Sequence, residues 1–284
     1  MNTIKKQLES ACDILAYHSS SPRLDAEVLL AFVLGKNRSY LRAWDDKALE
    51  VESVERFSQL IKKRRAGVPI AYLTGHREFW SRDFKVSSAV LIPRPETELL
   101  IELCLERFSL DKKYTVLDLG TGSGIIAITL AVERPLIEMT AMDKSIEALA
   151  IAKENAIRHD CEHIKFVLSD WLSVLSAETK FDFILSNPPY IAQEDVHLSQ
   201  GDVRFEPLSA LVAQDNGLHD IKKIATDAKK HLCVGGQLWF EHGYNQAQDT
   251  QNILKSLAYK DVKTYHDLSG QARVTMGWLG SCET

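Results

Sequence analysis

The sequence predicts an α/β fold: a mostly parallel, seven-stranded sheet covered by helices on both faces, preceded by a small α-helical domain. Three observations carry this. Residues 2–66 show helical periodicity with no strand signal. From about residue 114, short apolar runs alternate with stretches of helical length, the pattern of strand–helix–strand units. The last two strand-like runs lie close enough in sequence to pair as an antiparallel hairpin at one edge. Composition agrees, since 284 residues at 45% hydrophobic and 26% charged exclude collagen, low-complexity disorder and a coiled coil. That is also enough chain to bury a core without staples.

The helical domain is expected over 1–70. Ile4, Leu8, Cys12 and Leu15 recur at helical spacing, and Ser19-Ser20-Ser21-Pro22 ends one helix and starts the next. Leu24, Val28, Leu29, Phe32 and Val33 form the next apolar face, and Gly35 suits a left-handed cap. Val51, Val54, Phe57 and Ile61 mark a third helix, closed by Gly67 and Pro69. A linker over 71–94 contains aromatic and β-branched residues between Gly75 and Pro93 and reads as a short hairpin.

The larger domain is expected over 95–284. Pro95-Glu96-Thr97-Glu98 opens a helix that runs through Phe108, with acids in the first turn as the helix dipole favours. Strands follow at 116–119, 137–142, 164–168, 181–185, 237–241, 261–265 and 273–278, with helices at 125–131, 145–158, 218–231 and 246–257. Trp44, Trp239 and Trp278 are expected in cores.

Charge and cysteine usage limit the function classes. Lys plus Arg number 34 against 39 Asp plus Glu, a net charge of −5, which is not the balance of a general nucleic-acid binder. Residues 1–75 carry +3 and the remainder −8, so the larger domain suits a small or cationic ligand. No apolar run approaches the roughly 18–20 residues of a membrane span, and the N-terminus lacks a signal-peptide core. The five cysteines (Cys12, Cys104, Cys161, Cys233 and Cys282) are dispersed and odd in number, which fits a reduced, cytoplasmic protein.

Four successive strand ends carry polar residues in an order that makes a site. Asp118-Leu119-Gly120-Thr121-Gly122-Ser123-Gly124 joins the first strand to a helix. Its glycines permit a sharp turn and close approach of a ligand, with free N–H groups expected at the helix start. The spacing is neither GxGxxG nor GxxxxGK, and Asp118 opposes a phosphate and favours a cation. Asp143 ends the second strand, where an acid can accept from ribose hydroxyls. Asp170 and Trp171 end the third, an acid for an adenine amino group and an aromatic for the base. Asn187-Pro188-Pro189-Tyr190 ends the fourth. The prolines stiffen the chain and remove donors. The Asn187 oxygen and a nearby carbonyl can then accept from a planar NH2 group that Tyr190 covers.

These two motifs together resemble the class I, Rossmann-like S-adenosylmethionine-dependent methyltransferases that modify amide or exocyclic amino nitrogens. The chain more narrowly resembles the PrmC/HemK family, the bacterial release-factor glutamine methyltransferases. The strings that carry the likeness are Ala71–Phe79, Ile92-Pro93-Arg94-Pro95-Glu96-Thr97-Glu98, Asn187–Ile191, Phe205-Glu206-Pro207 and Asp267-Leu268-Ser269-Gly270. The resemblance spans nearly the whole chain, including the helical domain as the substrate-recognition part. It implies N5-methylation of the glutamine in the Gly-Gly-Gln motif of class 1 peptide chain release factors, with S-adenosyl-L-homocysteine as product. It also implies that Gly120, Thr121, Gly122, Ser123, Gly124, Asp143, Asp170, Trp171 and Asn187 bind the cofactor. Asn187, Pro188, Pro189 and Tyr190 would hold the glutamine amide, with Arg94, Glu96 and Thr97 near the methionine end. One departure is Ala213-Gln214-Asp215-Asn216-Gly217-Leu218, where the family pattern is richer in glycine, so this loop's conformation is left open.

Other features read as structural. His159-Asp160-Cys161-Glu162-His163 has no second pair to complete a metal site. Lys62-Lys63-Arg64-Arg65 sits in a helix's last turn, where cations are favoured. Glu241-His242 is expected to hydrogen-bond structurally. The competing functions are a nucleic-acid adenine N6 methyltransferase, disfavoured by the acidic larger domain, and a non-catalytic release-factor or ribosome adaptor. No membrane or direct nucleic-acid partner is expected. The oligomeric state is open, with a monomer as the default.

Overall fold

The computed structural model describes residues 2–280, and Cys282 lies outside them. The chain forms two compact units, Met1–His76 with Val196–Phe205, and Arg77–Asp195 with Glu206–Thr284.

The first unit is helical. It holds α1 (Ile4–Leu15), α2 (Pro22–Leu34), α3 (Arg38–Ala43), α4 (Val51–Arg65) and α5 (Ile70–Thr74). Thr3 and Asn37 cap α1 and α3 with side-chain oxygens, Pro22 opens α2, and Gly35 closes α2 at φ 61°. The short α3 and α5 escape a periodicity reading, because each buries a single side chain, Leu41 or Ala71. The core gathers Ile4, Leu8, Leu15, Leu29, Leu30, Phe57 and Ile61.

The buried face of α2 differs from the expected one. Leu24 and Phe32 are each 43% exposed, while Asp25 and Glu27 are buried. Both acids are paired. Asp25 accepts from Arg64 Nε at 2.7 Å, and Glu27 accepts from Arg23 at 2.8 Å and Arg38 at 2.7 Å. These ion pairs turn the helix so that Ala26, Leu29 and Leu30 face inward. Burial pushes the Glu27 carboxyl up, but the two guanidinium groups outweigh it and hold it below the usual range. Trp44 also departs from expectation: it stands at the C-cap of α3, its backbone N–H donating to the Tyr40 carbonyl, and its side chain is 55% exposed rather than in the core.

Arg64, from the basic run, is an internal tie, bonded also to the Val68 carbonyl at 3.2 Å and Asp202 at 3.1 Å. Arg204 donates to the Ala66 carbonyl at 3.1 Å, and a Cβ on Gly67 would overlap its guanidinium. Residues 196–205 are thus held by the helical unit although the flanking chain belongs to the other.

The second unit opens at Arg77, within the hairpin of β1 (His76–Phe79) and β2 (Arg82–Lys85), and continues into α6 (Glu98–Arg107). Next come β3 (Thr115–Leu119), α7 (Ile125–Glu133), β4 (Glu138–Asp143), α8 (Ile146–Arg158), β5 (Lys165–Leu168) and β6 (Phe181–Ser186). A two-residue parallel pair, β7 (Ile191–Ala192) and β8 (Val212–Ala213), lies apart from the main sheet. Then β9 (Leu232–Glu241), β10 (Lys260–His266) and β11 (Ala272–Trp278) follow, with helices His219–Ala228 and Ala247–Ser256 between β8, β9 and β10. The main sheet has seven strands in the order β10-β11-β9-β6-β3-β4-β5, with the β10–β11 and β11–β9 pairings antiparallel and the others parallel.

Both faces are buried, which is why the central strands read as apolar runs rather than alternations. Val116, Phe183, Leu185 and Trp239 point to one core layer, shared with Leu100 and Ile101 of α6. Leu117, Ile184, Leu238 and Phe240 point to the other, with Ile221 and Ala225 of helix His219–Ala228. β9 begins at Leu232, earlier than the expected Gln237, because a register shift against Phe181 and Phe183 lets Gly236 pass close to the Phe181 carbonyl. Parallel strands end on one edge of the sheet, so Leu119, Asp143, Leu168, Ser186 and Glu241 deliver their following loops to one side.

Candidate active site

On that edge a cavity opens to solvent. It is lined by Gly120, Thr121, Gly122, Ser123, Asp143, Asp170, Trp171, Asn187 and Pro189, all expected from sequence. Gly124, Pro188 and Tyr190 do not line it. Of the residues expected at the methionine end, Arg94 and Thr97 line the cavity and Glu96 does not.

The glycine loop holds its own shape. Gly120 and Thr121 N–H both donate to the Met142 carbonyl at 2.9 Å, and Gly124 N–H donates to the Thr121 carbonyl at 2.8 Å. Gly122 N–H donates to Asp143 Oδ2 at 2.9 Å, while Ser145 N–H donates to Oδ1 at 2.9 Å. The N–H groups of Gly120, Thr121, Gly122 and Gly124 are therefore spent on the protein itself, which suits a ligand other than a phosphate. Each Asp143 oxygen keeps a second lone pair for an additional donor. Gly120, Gly122 and Gly124 all take positive φ, at 74°, 55° and 85°.

Asp118 does not face the cavity. It is fully buried and accepts from Thr121 Oγ1 at 2.6 Å, with its other oxygen unpartnered. Burial pushes its carboxyl up to about 7, against the Thr121 bond and with a further push from Asp143. Its part is to set the loop rather than to meet a cation directly. Asn155, fully buried and unmarked by any motif, donates to the Ser123 carbonyl at 2.8 Å and clasps both backbone groups of Lys85.

Trp171 stands on a left-handed backbone at φ 51°, and its indole N–H donates to Asp220 at 3.2 Å. The ring lies beside Gly120, where a Cβ would come within 3.4 Å of it. The lining also includes Ala89, Val90, Leu91 and Pro93, with Ser209 and Ala210. None of these carries a local chemical signal.

The Asn187 wall is braced from afar. Asn187 Nδ2 donates to Thr97 Oγ1 at 3.3 Å, and Thr97 is 1% exposed at the start of α6. Arg94 pairs with buried Glu206, which also accepts from Ile92 N–H at 3.1 Å. Gln246 Nε2 donates to the Tyr190 carbonyl at 2.9 Å and the Asn216 carbonyl at 3.1 Å. The loop at 213–218 resolves into three consecutive left-handed residues, Asp215, Asn216 and Gly217, at φ 53°, 54° and 86°. Asp and Asn tolerate this conformation. Gly217 has no substitute, since a Cβ there would lie 2.0 Å from the Tyr190 oxygen. Burial pushes the Tyr190 phenol up, with Glu241 adding to it.

His242 is fully buried, with Nδ1 at 2.9 Å from the Gly243 carbonyl and Nε2 at 2.7 Å from Thr275 Oγ1. Burial pushes its imidazole down. In the other His/Cys string, His159 Nε2 lies 3.0 Å from the Asp83 carbonyl and Cys161 donates to the His159 carbonyl at 3.3 Å. Among the described residues no helix is long and apolar enough to cross a membrane.

Comparison with known proteins places this geometry. Residues 96–204 match the Methyltransferase small domain family and residues 6–75 match the PrmC N-terminal domain. A solved T. thermophilus 16S rRNA N2 methyltransferase, in complex with AdoMet and guanosine, shares the fold at TM-score 0.52 and 18% identity, over 72% of this chain and 49% of that one. The release factor glutamine methyltransferase of Vibrio cholerae is 49% identical over 97% of this chain and 96% of its own. That of Shewanella oneidensis is 47% identical over 98% and 96%. With nearly half of its residues shared along the full length of such relatives, the chain belongs to the release factor glutamine methyltransferase family.

Proposed function

We propose that this methyltransferase uses S-adenosylmethionine to methylate N5 of the glutamine in the Gly-Gly-Gln motif of class 1 peptide chain release factors. One observation carries the reading: Asn187 and Pro189 line the same cavity as the glycine loop, so an amide and a methyl donor can meet there.

The residues present fit the donor. Gly122 lines the cavity with nothing within 4 Å of where a Cβ would stand, and the loop offers no array of free donors that would select a diphosphate. Asp143 would accept from the ribose hydroxyls, Asp170 from the adenine amino group, and Trp171 would lie against the base. Bound there, S-adenosylmethionine supplies an electrophilic methyl group on a sulfonium.

The chain's own task is to make a poor nucleophile reactive. A carboxamide lone pair is delocalised into its carbonyl, so the nitrogen needs alignment and electron density. Asn187 Oδ1 and the Pro188 carbonyl would accept the two amide hydrogens, orienting the nitrogen and favouring positive charge on it. Pro188 and Pro189 have no N–H to compete for those oxygens. Alignment of this kind supplies up to about 7–11 kcal/mol in favourable systems. No strong base is required, because an amide nitrogen that has gained a methyl group sheds its proton readily to water.

The helical unit, which leaves Tyr17 and Trp44 exposed, is assigned to recognition of the protein substrate. A translation factor as substrate places the enzyme in the cytoplasm. Transfer of tritiated methyl from S-adenosylmethionine to purified release factor, to the same factor with its target glutamine replaced by alanine, and to duplex DNA tests the reading. Label is expected on the first alone. Equal label on the alanine variant, or label only on DNA, overturns it.

A further inference from the structure

Glu241 ends β9, is 1% exposed, and has no close hydrogen-bond partner on either carboxylate oxygen. Nothing in the reading above uses it. An unpaired buried carboxyl is costly, and an apolar residue of similar size would fill the same space more cheaply.

Sheet register shows what it faces. Ser186 pairs with Phe240 across β6 and β9, so the next residues, Asn187 and Glu241, stand level. Side chains alternate between faces along a strand. Leu185 and Trp239 point to one core layer; Glu241, two residues on in β9, falls on the same face, and Asn187, just past β6, is tied to that side by its bond to Thr97. That layer is covered by Leu100 and Ile101 of α6, whose start carries Thr97. Thr97 and Asn187 are the uncharged polar side chains that lower the Glu241 carboxyl, without a close hydrogen bond to it.

Hydrogen-bond capacity gives this trio a direction. Thr97 Oγ1 accepts from Asn187 Nδ2, so the hydroxyl has its own proton to place. An ionised carboxylate only accepts, so it draws that proton and the Asn187 N–H side inward. We propose that Glu241 is a positioning residue: its carboxylate, acting with the Thr97 hydroxyl, holds the Asn187 carboxamide with Nδ2 turned into the protein and Oδ1 turned to the cavity. The inference rests on the reading that Asn187 grips the substrate amide.

Protonation would undo this arrangement. Burial raises the Glu241 carboxyl; Thr97, Arg273 and Asn187 lower it and Glu96 raises it, leaving it at about 7. The groups around it are Glu96 and Thr97 before α6, Arg273 on β11, Tyr190 beyond β6, and His242, the next residue along its own chain. A protonated Glu241 gains an O–H that competes for Thr97 Oγ1 and Asn187 Oδ1. Activity should therefore rise with pH through about 7.

The test measures kcat, KM for release factor and cofactor affinity from pH 6 to 9 in the full-length enzyme. Glu241→Gln keeps the size and loses the charge. It is expected to lose about 10- to 100-fold in kcat, with KM and cofactor affinity within about threefold of wild type, and to lose the rise through neutrality. Thr97→Val, which removes the hydroxyl from a different element, is expected to lose about tenfold, and Thr97→Ser to restore most of it. A wild-type kcat and pH profile in Glu241→Gln or in Thr97→Val overturns the proposal. So does a Glu241→Gln enzyme whose kcat, cofactor affinity and melting temperature fall together, the mark of a merely structural group. Absence of transfer to release factor by the wild type is a different outcome, and overturns the proposed function with it.

Discussion

The glycine-loop wall of the cavity draws its shape mainly from one stretch of sequence, whereas the Asn187 wall is assembled from residues scattered along the chain. In the first, Asp118, Thr121, Met142 and Asp143 satisfy most of the loop within one strand–helix–strand unit, with Asn155 of the next helix bonded to the Ser123 carbonyl. In the second, Thr97, Glu206, Gly217, Gln246 and Glu241 converge from both sides of the motif they support. Under the proposed function, the difference follows from two tasks. A wall that receives a compact ligand needs a fixed backbone, which local bonds provide. A wall that must orient a flat amide needs a side chain held from behind, and that requires partners from other elements.

The contrast is sharpest at Asn187. Asn187→Ala is expected to cut kcat by roughly 100- to 1,000-fold while cofactor affinity measured by calorimetry stays near wild type. Comparable activity in that variant would break the division of labour between the walls. Gly217→Ala comes next. A methyl group there meets the Tyr190 oxygen, on a backbone that disfavours side chains, so a loss of about 2–3 kcal/mol in denaturant unfolding is expected together with reduced transfer. The other wall should respond differently. Trp171→Ala is expected to weaken cofactor binding about tenfold, with kcat at saturating cofactor much less affected.

The smallest expected effect is at Asp118. Its folded carboxyl sits at about 7, above the ordinary value, so between about pH 4 and 7 the folded chain holds a proton that the unfolded chain has released. Its contribution is therefore full at low pH and is lost as pH rises through 7. Asp118→Asn should flatten that part of the melting curve, shifting Tm relative to wild type by roughly 2–4 °C between pH 5 and 8.

Legibility in the sequence follows the same division. The glycine loop, Asp143, Trp171 and the asparagine–diproline run could be read because each sits at a strand end in a short, chemically marked string. Asn155 and Gln246 could not, and Glu206 was marked only by its string and not by its role, since a polar residue inside a helix or loop carries no mark of the distant carbonyl or guanidinium it will meet. Glu241 was noticed and discounted, because its neighbours become visible only through β6–β9 register. Strand positions were recovered where both faces are buried. The face of α2 was not, because Asp25 and Glu27 look like solvent-facing residues until Arg64 and Arg38 arrive from elsewhere.

The course of residues 196–205 has a mechanical corollary. Five residues past Tyr190 the polypeptide leaves the α/β unit, is pinned to the helical one by Arg64, Asp202 and Arg204, and returns at Glu206 to grip Arg94. Three covalent links therefore join the helical unit to the α/β one, at 76–77, at 195–196 shortly after the asparagine–diproline bend, and at 205–206 just before the Glu206–Arg94 pair. Two of the three thus flank segments that the proposed reaction would use.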